Sequence, residues 1–240
     1  LEFLSPPSFA GYVMVWKEES GFIMPAKGKG MPLPYLAPAE DMRDINLELL
    51  SQSAKVSLKG EEKILGRTAQ IFLIEPAYVK GGYLKIWLDK DTGIRLKMER
   101  YSPKGKLLST ISLLSLQLNP SLKEEEFTTP NPIAKAKNYS LEELQDILHF
   151  RPLLPSYLPR GYAIVRIYPL SVGKQKAAII HLTDGLNPIT IMETPHPLRQ
   201  PSSPSTYEQE TITLRVKGYG VALMGNVDKE VLEKIGLSLK

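Results

Sequence analysis

The sequence contains no cysteine, only three histidines and no long apolar run. Without cysteine, a disulfide framework, thiolate metal sites and a cysteine nucleophile are excluded. The histidines, His149, His181 and His196, are far apart, and none has a second ligand at metal spacing. Motifs for a serine nucleophile, a phosphate-binding loop or a dinucleotide site are missing too. We therefore expect no catalytic residues, no cofactor, no metal site and no enzyme activity.

The composition is that of a folded, mildly basic protein. Of the 240 residues, 42% are hydrophobic and 23% are charged, which is enough apolar material for a packed core. The net charge is +4, and the lysines and arginines are spread along the chain without a basic stripe. Nucleic acid is therefore not an expected partner. No run reaches the ~18 apolar residues that a membrane span needs, so any membrane association would be peripheral.

The clearest structural pattern is an alternation of apolar and polar residues along two strands within residues 82–105. On the first of these strands, one face carries Leu84, Ile86 and Leu88, and the other carries Tyr83, Lys85, Trp87 and Asp89. Gly93 and Gly105 lie where the connecting loops require a positive φ. The pattern predicts an antiparallel sheet with one buried face.

Further strands predicted at residues 54–58, 63–65, 68–75 and 107–118 extend this sheet into a meander. Before them, residues 38–50 place Met42, Ile45 and Leu49 at helical spacing. A curved sheet with this single helix across its inner face would bury both apolar surfaces. The first half is therefore expected to be mainly β, with one covering helix.

A proline-rich stretch at residues 128–132 indicates a domain boundary. A capping box at Ser140–Glu143 predicts a short helix after it. Strands predicted at 163–168, 176–182, 188–193, 211–217 and 219–224 then precede a helix with Asp228 as N-cap and Gly236 as its stop. We predict a first domain over residues 1–132, a linker with a short helix over 133–157, and a small sheet-and-helix domain over 158–240.

A cavity beneath the covering helix is the expected binding site, because a curved sheet with one helix is hard to fill completely. Seven apolar residues are its candidate lining: Trp16, Phe72, Leu84, Ile86, Trp87, Met98 and Leu113. Ordinary core packing is the alternative for each of them, and exposed Trp or Met on the opposite face would instead indicate a partner surface.

Several segments resemble a known family. The runs GEEKILGRTAQIFLIEP at residues 60–76, LKIWLDKDTG at 84–93 and KMERY at 97–101 resemble the lipoprotein-carrier-like domain. That family includes the LolA/LolB proteins and the N-terminal domain of RseB/MucB. In the second half, LPRGY at 158–162, HLTDGL at 181–186 and IGLSL at 235–239 are similar to the C-terminal domain of RseB/MucB.

The resemblance implies a half-open antiparallel β-barrel with a helix on its concave face, in an extracytoplasmic protein without catalysis. RseB-like proteins bind the extracytoplasmic part of an anti-sigma factor and shield it from proteolysis, with lipid or envelope stress as the suspected signal. LolA-like relatives instead carry lipid or acylated proteins in the cavity. Both functions, regulator and carrier, stay open at this point.

The beginning of the chain departs from the family pattern. It does not open with methionine, and we expect that an export leader has been removed or that the domain was cut from a longer protein. The family's leading helix and initial strands are absent before the segment at residues 4–11. An unpaired strand edge would result near Tyr12–Trp16. Either the sequence is a fragment, or two chains complete each other as a homodimer.

Overall fold

The computed structural model describes residues 13–17, 20–24, 31–32, 47–121, 139–172, 175–196 and 209–240. The chain divides into two compact units, one of Leu1–Asp44 and Gln117–Lys137, the other of Ile45–Leu116 and Asn138–Lys240. In the first unit, strands β1 (Val13–Lys17), β2 (Ser20–Met24) and β3 (Met31–Pro32) form an antiparallel sheet in that order. Most of the helix predicted over residues 38–50 lies outside the described residues, and so does the linker at 128–132.

The second unit contains two five-stranded sheets. Helix α1 (Leu47–Ser53) leads into the first sheet, whose strands follow one another as an antiparallel meander. Its strands are β4 (Ala54–Ile64), β5 (Arg67–Pro76), β6 (Tyr83–Asp89), β7 (Arg95–Tyr101) and β8 (Leu107–Ser112). In the described residues the outer strands β4 and β8 do not pair with each other, so the barrel is half-open.

Three sequence predictions for this sheet need correction. The strands predicted at 54–58 and 63–65 are one strand, because Gly60 forms a bulge with φ 140° and the pairing continues beyond it. The strand predicted to reach residue 118 ends at Ser112. The sheet also buries both faces, since Trp87 and Asp89 on the supposedly exposed face are each only 2% exposed.

Each face of the first sheet carries its own apolar cluster. The inner face is the one that α1 covers, and Leu50 of that helix packs there with Ile74, Leu84, Ile86 and Met98. The outer face holds Trp87 with Ala69 and Leu96, and the segment after β8 covers them with Leu113 and Leu116. Strand alternation identifies which residues share a face, but the coverage of the outer face comes from this separate segment.

The second sheet has the strand order β12-β13-β11-β10-β9 and is antiparallel throughout. Its strands are β9 (Ala163–Val172), β10 (Gln175–Thr183), β11 (Pro188–Thr194), β12 (Glu210–Val216) and β13 (Tyr219–Gly225). Helices α2 (Leu141–Leu148) and α3 (Lys229–Leu237) pack against it. The predicted mainly β fold, with a second sheet-and-helix part, is confirmed.

The helix ends confirm one prediction and correct another. Ser140 and Glu143 form the complete capping box at the start of α2. Asp228 is the N-cap of α3, but its side chain caps no N–H group and instead pairs with Lys80 at 3.1 Å. Gly236 lies inside α3 and does not end it. A Cβ at this position would collide with Leu214, so the glycine allows the helix to approach β12 closely.

A buried polar junction joins the two sheets within the second unit. The Gly82 N–H donates to the Asn226 carbonyl at 2.8 Å, and the Asn187 side-chain amide donates to the Gly82 carbonyl at 3.0 Å. The Ser53 hydroxyl donates to the Asp184 carbonyl. The Asp184 carboxylate holds its own loop by accepting the N–H of Asn187 at 2.6 Å.

Candidate functional site

The inner face of the first sheet is closed near α1 and open away from it. Leu84 is 1% exposed and Met98 is 2% exposed beneath the helix, whereas Val56 and Leu58 on β4 are 59% and 56% exposed. Val56 lies opposite Ile74, and Leu58 lies opposite Phe72, so both side chains point to the inner face. Val56, Leu58 and the half-buried Phe72 form what we call the apolar strip.

The apolar strip lies along one margin of the sheet. β4 is an outer strand, and within the described residues no strand pairs with its other side. A partner that covered the strip would remove two large aliphatic side chains from water. Complete burial of a valine or leucine side chain contributes roughly 1.5–3 kcal/mol, and about half of each side chain remains to be buried here. The strip therefore favours contact with an apolar group.

The structure separates the residues predicted from sequence to line one cavity. Phe72, Leu84, Ile86 and Met98 share the inner face, and Phe72 lies directly opposite Ile86. Trp87 and Leu113 belong to the cluster on the outer face. Trp16 lies in β1 of the other unit, where it pairs with Gly21, and its side chain is outside the described residues.

The environment of Trp87 is that of a structural residue. Its indole N–H donates to the Glu62 carboxylate at 2.7 Å, and the ammonium groups of Lys85 and Lys97 lie 4.8 and 4.3 Å from the ring centre. Such cation–π contacts stabilise a ring that is already buried. The outer face around Trp87 is therefore held together by polar partners of its own.

Asp89 completes the outer face with an ion pair. Its carboxylate accepts two hydrogen bonds from the Arg67 guanidinium, at 2.5 and 2.9 Å, and further ones from the Thr92 hydroxyl and N–H. The Arg67 guanidinium first, and Thr92 after it, hold the pKa of Asp89 well below its usual range. The sequence places this aspartate at the start of a turn, and the structure shows that it also connects β5 to β6.

The histidines and acidic residues do not form a metal centre in the part of the chain that the structure describes. The ring nitrogens of His181 lie 2.8 Å from the Tyr168 hydroxyl and 3.2 Å from the Thr190 hydroxyl. His149 is the C-cap of α2 with φ 64°. His196 accepts a hydrogen bond from Thr194 through its backbone carbonyl. The position of each of the three histidines is therefore explained by its local structure.

A second concave site, which we call the basic cavity, lies in the second sheet-and-helix part. It has a volume of about 680 Å³. The lining combines three cationic residues with apolar and aromatic ones, namely Leu141, Arg151, Pro152, Leu153, Leu154, Lys217, Tyr219 and Lys240. The sequence analysis missed this site, because residues 151, 217 and 240 are distant in sequence and no local motif connects them.

The sequence analysis also missed the exposure of Val56 and Leu58. Their alternation with Lys55, Ser57 and Lys59 is the ordinary pattern of a strand with one buried face. Nothing in that pattern indicates how far α1 extends over the sheet. The exposed strip is therefore visible only in the folded structure.

The fold and these surfaces define a half-open β-barrel linked to a second part made of a sheet and two helices. Residues 15–131 match the family model of the MucB/RseB N-terminal domain. Comparison with curated proteins finds no match. Over this region the chain is similar to the MucB/RseB N-terminal domain, and solved structures of MucB share its fold. No helix within the described ranges is long and apolar enough to span a bilayer.

Several solved structures share this fold. The crystal structure of MucB is 18% identical, covers 92% of this chain and 77% of its own, and gives a TM-score of 0.59. The MucA/MucB complex from Pseudomonas aeruginosa is 18% identical, covers 92% of this chain and 78% of that chain, with a TM-score of 0.64. MucB in complex with MucA(peri) is 16% identical, covers 95% of this chain and 86% of that chain, with a TM-score of 0.60.

Proposed function

We propose that this chain is a non-enzymatic extracytoplasmic protein that binds the extracytoplasmic segment of an anti-sigma factor. The observation that carries the proposal is the match of residues 15–131 to the MucB/RseB N-terminal domain. The fold supports it, because two of the similar structures are complexes of MucB with MucA. By the family resemblance, the bound segment would be shielded from proteolysis, and lipid or envelope stress would release it.

The apolar strip is our proposed contact for that segment within the first domain. Val56 and Leu58 are the exposed continuation of a face that is otherwise buried around Leu84, Ile86 and Met98. An apolar side chain of the partner would extend this cluster. We also propose that the first domain ends at residue 132 and that the second begins at residue 158. The second domain would bind the same partner. Association of two chains through the edge near residues 12–16 also stays a prediction.

The buried carboxylates support a function in binding without catalysis. Asp89 is paired with Arg67, Asp184 accepts the N–H groups of its own loop, and Glu193 accepts the N–H of Leu153 at 2.8 Å. They lie in different parts of the fold and have separate structural partners. A pair of carboxylates that acts on one bond must instead converge on it.

A lipid or lipoprotein carrier is the second candidate, and the exposure of Val56 and Leu58 is the observation that favours it. The two candidates differ in what the purified protein contains. Extraction with organic solvent, followed by mass spectrometry, should recover no stoichiometric acyl chain from a regulator. One acyl lipid per chain would support the carrier.

The direct test is a calorimetric titration with the extracytoplasmic segment of an anti-sigma factor from the source organism. The proposal predicts saturable 1:1 binding and slower proteolysis of the bound segment. A scrambled segment of the same composition is the control. Absence of heat and of protection with the authentic segment, from a protein that melts cooperatively, would contradict the proposal.

A further inference from the structure

We propose that the basic cavity binds an acidic stretch of polypeptide in which carboxylates alternate with apolar side chains. This inference deepens the proposed function and rests on it, because the segment would belong to the same partner. The cavity lining contains three cationic side chains, those of Arg151, Lys217 and Lys240, and no aspartate or glutamate. Its wall also includes Leu141 and Tyr219, which suit the apolar side chains of such a stretch.

The three cations are available to a ligand. Among the described residues, none of them forms an ion pair within 4 Å or a side-chain hydrogen bond, and the one carboxylate that interacts electrostatically with Arg151 is that of Glu142 on α2. All three are exposed at the surface of the cavity. Ordinary exposed cations are distributed over a surface, whereas these come from three distant parts of the chain and meet around one concavity. A concave site with charges of one sign concentrates ions of the opposite sign.

The walls that carry the cations are fixed by the fold. Leu154 and Lys240 exchange backbone hydrogen bonds of 3.2 and 3.1 Å, which hold Lys240 against the segment after α2. Lys217, with φ 49°, and Gly218, with φ 92°, form the tight turn between β12 and β13. The Tyr219 ring lies 5.5 Å from the Phe150 ring. A ligand would therefore meet a site whose backbone is already ordered, which lowers the entropic cost of binding.

Glu193 lies behind the wall of the cavity and cancels little of its charge. The side chain is fully buried; one carboxylate oxygen accepts the N–H of Leu153, and the other has no partner in the described residues. Burial raises the pKa of Glu193 to about 7, and the Leu153 N–H offsets only part of that effect. Near neutral pH this carboxyl group is therefore only partly ionised.

The chemistry of the lining favours dispersed carboxylates over a compact phosphate. Phosphate sites usually offer several converging backbone N–H groups. Here the N–H groups of Leu153, Leu154 and Lys240 already donate to Glu193, Lys240 and Leu154 respectively. The remaining donors are long cationic side chains on separate elements. Such side chains suit carboxylates that are spaced along a peptide, and the cavity volume of about 680 Å³ is in the range of ligand sites.

The test uses the full chain and two fluorescent decapeptides, one of alternating leucine and glutamate and one of alternating leucine and lysine. Fluorescence anisotropy should show saturable binding of the acidic peptide only, weakened by added salt. Arg151→Glu and Lys217→Glu should each weaken binding about threefold or more, and the double variant about tenfold. Lys104→Glu, the same charge change in the turn between β7 and β8, is the matched control and should change binding little.

The outcomes separate this inference from the function on which it rests. If the double variant binds the acidic peptide as the wild type does, or if neither binds it, the basic cavity is not the site and the inference is overturned. Displacement of the peptide by millimolar inorganic phosphate would assign the cavity to phosphate groups and would also overturn it. If the acidic peptide binds through these cations while the anti-sigma segment does not bind, the cavity assignment holds and the proposed function fails.

Discussion

Gly82 and Asn226 connect the two sheets at a point where no side chain larger than hydrogen fits. The Gly82 N–H donates to the Asn226 carbonyl at 2.8 Å, and a Cβ on Gly82 would collide with the Asn226 side chain and the Tyr101 carbonyl. The Asn226 side-chain amide donates to that same carbonyl at 3.1 Å. At Gly82, the backbone next to the first sheet therefore packs directly against the loop that follows β13.

The first prediction concerns this contact. Gly82→Ala should lower the free energy of unfolding by about 2 kcal/mol or more, because overpacking of a buried contact forces the backbone to shift. Urea denaturation is the measurement. Asn226→Ala should partly rescue it by removing one of the colliding groups, so the double variant should lose less than the sum of the two single variants. Strict additivity would mean that the two residues do not touch.

The second prediction is the pH dependence that Glu193 imposes. Its pKa is raised from 4.5 to about 7 in the folded state, so the native protein holds this proton more tightly than the unfolded chain does. The contribution of Glu193 to the free energy of unfolding is therefore fully present below about pH 4.5 and is lost as the pH rises through 7. Between pH 4.5 and pH 8, the free energy of unfolding of the wild type should fall by up to about 3 kcal/mol relative to that of Glu193→Gln.

Urea denaturation of both proteins at the two pH values tests the Glu193 prediction. Glutamine keeps an oxygen for the Leu153 N–H and cannot ionise, so it is the matched control. Parallel pH profiles for the two proteins would show that Glu193 does not titrate differently on folding.

The third prediction concerns Asp89, whose pKa is lowered by Arg67 first and then by Thr92. Its stabilising effect is present above the pKa of an unfolded aspartate, about 3.9, and is lost as the pH falls through the lower folded value. Asp89→Asn should lower the melting temperature at pH 7, and the difference from the wild type should shrink towards pH 2. Asp91→Asn, at the exposed neighbouring carboxylate, should leave the melting temperature nearly unchanged. A constant difference across this pH range would refute the assignment.

Local chemistry explains which parts of the fold the sequence predicts correctly. Ser140 and Glu143 form their capping box within four residues, and Gly93 supplies the positive φ of the β6–β7 turn. Both features depend on neighbouring residues only. The alternation along β6 predicts an antiparallel sheet, and its half-open form is what the family resemblance implies.

The sequence predictions are wrong where a residue's burial or position depends on contacts with segments that are distant in sequence. Trp87 is buried because Leu113 and Leu116 fold back over the outer face, and alternation along β6 carries no information about them. The sequence predicts Gly236 as a helix stop, yet this glycine lies inside α3. Its missing side chain leaves room there for Leu214 of β12. The cations of the basic cavity likewise meet only through tertiary structure.

The measurement that tests the central claim most directly compares two valine-to-lysine variants in the calorimetric titration with the anti-sigma segment. Val56 lies on outer strand β4 of the first sheet, and Val165 lies on outer strand β9 of the second; they are 59% and 43% exposed. A lysine in a buried apolar contact is strongly unfavourable. We expect Val56→Lys to weaken binding at least tenfold while Val165→Lys binds as the wild type does. Unchanged affinity in Val56→Lys would contradict the account.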